Sequence, residues 1–147
     1  MKYYKYLYWK GLNSNKKIVR AYADYRWRKA VRDYTQHYLK LQKKLPSEFV
    51  KVLDDTSYFH DANLKCIFHD IMRNKVVLLL SGNSYKIKMI TFNSKLSWKC
   101  KPVTQTLSIG YCEVEKHNRF IVWRILFDNG NELTLEFSRI NIISESI

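Results

Sequence analysis

The 147-residue chain carries 26 Lys/Arg against 13 Asp/Glu, a formal net charge of +13, with 46% hydrophobic and 15% aromatic residues. That length suits one domain, and that much apolar material, with only four Gly and two Pro, excludes a disordered or linker-like polymer. The longest apolar run, Val76–Leu80, falls far short of the roughly 20 residues of a membrane span, so no membrane partner is expected.

Met1–Trp9 offers no apolar stretch of signal-peptide length. Cys66, Cys100 and Cys112 are odd in number and far apart, which fits a reducing cytoplasm rather than a disulfide framework. The charge is uneven. Residues 1–53 hold 14 Lys/Arg against 3 Asp/Glu, and the remainder holds 12 against 10. Eight of the eleven Tyr also precede Leu53. Tyr has a hydroxyl that prefers a half-wet position, so residues 1–54 read as a basic helical layer with Tyr along its boundary.

Asn13-Ser14-Asn15 is a helix-start signal, and no Gly or Pro interrupts the chain from there to Lys44. Trp27, Val31, Tyr34, Tyr38, Leu41 and Leu45 step by four and three, which predicts one apolar stripe. Ile18, Ala21, Tyr22 and Tyr25 form a second stripe about half a turn away. A long helix gripped on opposite sides at its two ends accounts for both better than a kink near residues 25–27, since no residue there supplies one. Leu45-Pro46 predicts a stop, with a short helix from Glu48 to about Asp54 and a loop at Asp55-Thr56-Ser57.

Residues 55–147 then read as strands. Phe59–His69, Lys75–Ser81, 85–92, Thr104–Lys116, Arg119–Phe127 and Glu132–Phe137 are the candidates, and Ile140–Ile143 continues or caps the last. Turns are expected at Arg73-Asn74, Gly82-Asn83-Ser84, Lys116-His117-Asn118 and Asp128-Asn129-Gly130-Asn131, where Asn-Gly favours a type I′ hairpin. Asn93–Pro102 reads as a loop with Trp98 as an anchor. Hairpin-length connections imply antiparallel neighbours. The expected fold is α+β in one domain: a long and a short helix packed on a five- or six-stranded antiparallel meander.

Chemistry-bearing constellations are sparse. His60-Asp61 and His69-Asp70 are of metal-ligating type, but an odd separation puts the two His on opposite faces of a straight strand. Asp61 as a turn cap is the plainer reading, and no metal or cofactor is expected. Cys66 lies between His60 and His69, and Cys112 has His117 five residues on, but neither arrangement has a nucleophile elbow or a Gly-rich oxyanion loop, so both read as buried structural thiols. Glu113 and Glu115 share a strand face and are candidates for paired-carboxylate catalysis, although alternating surface Glu are common. No catalytic motif is present, so an enzyme is not expected. The strongest feature is the basic helix. Arg26, Arg28, Lys29, Arg32, Lys40, Lys43 and Lys44, with Tyr22, form a broad face that could meet an acidic protein or a nucleic acid. A merely solvated face is the bland alternative.

Lys2-Tyr3-Tyr4, the long helix, Leu45-Pro46 and Phe59-His60-Asp61-Ala62-Asn63-Leu64 together resemble an uncharacterised family of Gram-positive bacteria with a Leu-His-Asp-Ala type strand start. Here Phe59 stands in place of the usual Leu. The same strand start is similar to that of small immunity proteins encoded beside polymorphic toxins. The resemblance covers about the first half of the chain. It implies an α+β fold, a cytoplasmic location, no established catalytic residues, and His60 and Asp61 as motif positions. The leading expectation is a non-catalytic protein-binding module, with nucleic-acid binding through the same helix as the alternative.

Overall fold

The computed structural model describes residues 2–54, 62–82, 85–99 and 107–146. Three helices lead: α1 Tyr6–Leu12, α2 Lys17–Gln42 and α3 Ser47–Asp54. No helix among the described residues is long and apolar enough to cross a membrane. α2 is continuous through residues 25–27. The Asn13–Asn15 signal lies in the short link ahead of it, where the Ser14 hydroxyl accepts the Lys16 N–H. Helix α1 was not expected, because the seven residues Tyr-Leu-Tyr-Trp-Lys-Gly-Leu make about two turns, too few to show a period.

The two stripes of α2 meet different fates. Trp27, Tyr34, Tyr38 and Leu41 turn inward, whereas Val31 is exposed. The expectation that the first turns are gripped through Ile18, Ala21, Tyr22 and Tyr25 is not met, since all four are exposed. The packed position there is Ala23, against α1, where a Cβ on Gly11 would stand 2.6 Å from the Ala23 Cβ. Two helices approach this closely only where both residues are small. The larger apolar side chains are therefore left facing away.

Eight strands follow, not five or six: β1 Asn63–Asp70, β2 Lys75–Ser81, β3 Tyr85–Phe92, β4 Lys95–Lys99, β5 Leu107–His117, β6 Phe120–Phe127, β7 Glu132–Phe137 and β8 Arg139–Ser146. All pairings are antiparallel, in the order β4-β7-β6-β5-β1-β2-β3-β8, which is not a simple meander. β4 occupies part of the stretch read as a loop; the side chain of Trp98 lies outside the described residues. β3 runs into β4 through Asn93-Ser94, and β7 into β8 through Ser138, so the two form one bent ribbon pairing Phe92 with Arg139 and Lys95 with Glu136. Asn93 turns the corner at φ 52°, a left-handed conformation Asn tolerates, and its amide donates to the Ser138 hydroxyl. Because β1 also pairs with β5 at Asn63–Ser108 and Leu64–Leu107, the neighbour relations close on themselves. The Asp128–Asn131 hairpin is not type I′, since Gly130 alone has positive φ there, at 83°. Of the remaining expected elements, Asp55–Ser57, residues 59–61, Asn83-Ser84 and 104–106 lie outside the described residues.

Inside the closed sheet lie Val76, Leu78, Leu80, Ile87, Met89, Val114, Trp123, Ile125, Leu133, Leu135 and Phe137, each at most 2% exposed. α3 adds the fully buried Phe49, edge-on to Trp123 at 5.6 Å and to Phe137 at 5.7 Å. Edge-to-face geometry adds electrostatic attraction to the burial of large rings. Tyr38 Oη and Gln42 Nε2 of α2 both donate to Asp54, tying α2 to the end of α3 at 2.7 and 2.6 Å.

Candidate functional site

The helical layer meets the sheet through a bulge. Pairing slips between Ile109 and Tyr111, with Gly110 as the extra residue. An inserted residue reverses strand parity. Ile109 and Val114 therefore both enter the core, while Tyr111, Glu113 and Glu115 turn toward the helices. Trp27 sits edge-on to Tyr111 at 4.4 Å, and Tyr4 stacks on it at 5.1 Å. Beyond Ser108, where β5 no longer pairs with β1, its Val114 N–H donates to the Tyr34 hydroxyl at 2.9 Å, so a helix side chain satisfies a donor that no strand takes up.

Glu113 and Glu115 are neither surface residues nor free for acid–base work. Glu113 is fully buried and accepts three backbone N–H groups: Lys2 at 2.7 Å, and Tyr3 and Tyr4 at 2.6 Å each. It clamps the N-terminal segment to the sheet. Glu115 accepts Arg124 at 2.9 Å, Lys2 at 3.1 Å and His117 at 3.4 Å. Burial opposes its charge, but hydrogen bonds from Arg124 and Lys2 outweigh that and hold its carboxyl at about 2, below the ordinary 4.5. The sign follows: a depressed carboxyl stabilises the fold above its ordinary pKa and loses that contribution as pH falls. Between pH 4.5 and 2 the protein should lose about 2–3 kcal/mol from this group. Urea melts across that range check this, and Glu115→Gln should flatten the acid limb by that amount.

The other catalytic candidates fare similarly. Cys112 is a free thiol pushed up to about 12 by burial, so it is no nucleophile at neutral pH. Cys66 is exposed, not buried as expected, because a bulge between Leu64 and Cys66 shifts it outward. His60 and Asp61 lie outside the described residues. Among the described residues no three His, Cys, Asp or Glu lie close enough to share a metal ion.

The basic candidates divide. Tyr22, Arg28, Lys29, Arg32, Lys40, Lys43 and Lys44 are exposed, while Arg26 is half-buried against α1. Spacing at about 100° per residue puts Tyr25, Arg28, Arg32 and Lys43 on one outward line of α2, with Tyr22, Lys29 and Lys40 beside it. Two acids temper the line: Asp24 pairs with Arg28 at 2.9 Å and Asp33 with Lys29 at 2.6 Å. Arg32, Lys40 and Lys43 meet no carboxylate among the described residues. Lys44 contributes its carbonyl to the Lys116 ammonium. The feature missed from sequence is apolar exposure on this same side, with Ile18 at 86%, Tyr25 at 62%, Tyr22 at 61% and Leu39 at 59%. Elsewhere, a groove of about 590 Å³ bears Leu79 and Ile143 among Lys65, Lys86, Lys88 and Glu145; it contains none of the candidates.

No protein-family model matches the chain, and no curated protein matches it. A solved structure described as an uncharacterised protein from Neisseria gonorrhoeae covers 57% of this chain and 91% of its own, at 18% identity and a TM-score of 0.44.

Proposed function

We propose that the chain is a non-catalytic binding module, comparable to a toxin-immunity protein, that engages an acidic protein through the outer face of α2 in a reducing cytoplasm. The observation that carries this reading is the mixture on that face. Ile18, Tyr22, Tyr25 and Leu39 stand exposed among Arg28, Arg32, Lys40 and Lys43. Protein interfaces favour Tyr and Arg anchors with apolar neighbours. Cations with few local acids select an acidic partner and speed its approach. The face runs about 39 Å at 1.5 Å per residue, long enough for a standard interface. An exposed free thiol at Cys66 suits a reducing compartment.

Nucleic-acid binding uses the same cations but has no use for Ile18 and Leu39, which offer bases no stacking surface. Fluorescence anisotropy with 20-nucleotide RNA and DNA separates the two. The protein-binding reading expects only weak association that collapses by about 150 mM salt. A saturable complex persisting at that salt, and lost in Arg28→Glu/Arg32→Glu/Lys43→Glu, would replace it with the nucleic-acid reading.

A further inference from the structure

A second feature lies on the flank of α2, where the N-terminal segment and α1 meet it. There a cavity of about 130 Å³ is walled by Lys2, Lys5, Tyr8, Arg26, Lys29 and Asp33. Its three walls are held independently of any ligand. Glu113 clamps Lys2–Tyr4, and the Gly11–Ala23 contact seats α1 on α2.

Four cations thus face one carboxylate. Asp33 is engaged by Lys29 at 2.6 Å, and Lys2 reaches Glu115 at 3.1 Å. Lys5 and Arg26 have no carboxylate within ion-pair distance among the described residues. Arg26 is the half-buried member of the basic set, and its guanidinium is held in place. Its Nη2 donates to Tyr8 Oη at 2.7 Å, and it stands over the Tyr8 ring at 5.2 Å and the Tyr22 ring at 6.0 Å. Having accepted that bond, the Tyr8 hydroxyl keeps its own proton to donate outward. A half-buried, positioned arginine without a counter-charge is an arrangement that an anion completes.

We propose that this cavity binds a phosphate monoester or free phosphate dianion. Two uncompensated cations match a charge of about −2 and three acceptor oxygens. A single carboxylate would leave one cation unanswered. The cavity sits beside the outer face of α2 rather than on it, so the proposal stands or falls apart from the binding-module reading.

The test is an NMR titration of the full chain with inorganic phosphate and with O-phosphoserine at constant ionic strength. The readouts are the Lys5 and Tyr8 amides and the Arg26 Nε–H. The expected result is saturable shifts for at least one phosphate source and none for acetate. Tighter phosphoserine binding would assign the site to a monoester; tighter inorganic phosphate would assign it to the free ion. Arg26→Met should weaken binding about tenfold or more, and Lys43→Met should leave it unchanged. Should Arg26→Met lose its spectral dispersion, Lys5→Met carries the same expectation, since the Lys5 side chain has no partner to lose among the described residues. Absence of saturation up to about 20 mM phosphate, equal acetate binding, or wild-type affinity in a folded Arg26→Met or Lys5→Met would overturn the proposal.

Discussion

Glu113→Ala should lower the unfolding free energy by about 3 kcal/mol or more, because it strands three backbone donors at once. The Lys2, Tyr3 and Tyr4 N–H groups all end on this one carboxylate. Without it they either remain unpaired under the helical layer or peel away toward water. The second course uncovers Tyr4, which is 8% exposed, stacks on Tyr111 and lies tilted against Trp27. Urea denaturation gives the stability. Hydrogen exchange gives the mechanism, with protection expected to fall at Lys2–Tyr4 and in α1 before the strands are affected. Glu113→Gln should recover part of the loss, because the Tyr3 and Tyr4 amides share one oxygen that a carboxamide can keep. Wild-type stability in the Ala variant would mean that the N-terminal segment is not clamped.

Phe49→Ala should cost about 3–5 kcal/mol, the range for removing a fully buried aromatic ring. Phe49 has no solvent exposure and meets Trp123 and Phe137 edge-on. These rings come from three separate chain segments, so the space it leaves cannot close without moving α3. Phe49→Leu should lose less than half as much, since most of the volume is kept. Chemical denaturation of both variants checks the magnitudes, and a loss below about 1 kcal/mol for the Ala variant would show that α3 does not plug this core. Glu113 faces the helical layer and Phe49 the interior of the closed sheet. The two losses should therefore add in the double variant.

Much of this arrangement was legible, and the failures are physical. α2 could be read because 26 residues without Gly or Pro display their period. Its early stripe misled, because the period records which side chains are apolar and not which face finds a partner. Ala23, too small to mark a stripe, supplies the contact. β4 escaped because Lys95–Lys99 is short and largely polar, and the ribbon breaks at Asn93-Ser94 and Ser138 carry no Gly or Pro. The bulge at Gly110 did leave a signal: an isolated Gly within a strand pattern often marks one. Read that way, it turns Glu113 and Glu115 toward the helices. Nothing local could reveal that Glu113's partners are backbone amides about 110 positions away. The charge asymmetry was fully legible. Its division between the outer line of α2 and the Arg26 cavity depends on where α1 lands.

Site-specific photo-crosslinking in host cells tests whether the outer face of α2 binds an acidic protein. A benzophenone side chain would replace Tyr25, and in a control Thr134 of β7. One discrete, acidic protein adduct is expected from position 25. That adduct should be absent from position 134 and lost when Arg28, Arg32 and Lys43 are reversed to Glu. Nucleic-acid adducts at position 25, or the same adducts from both positions, would contradict it.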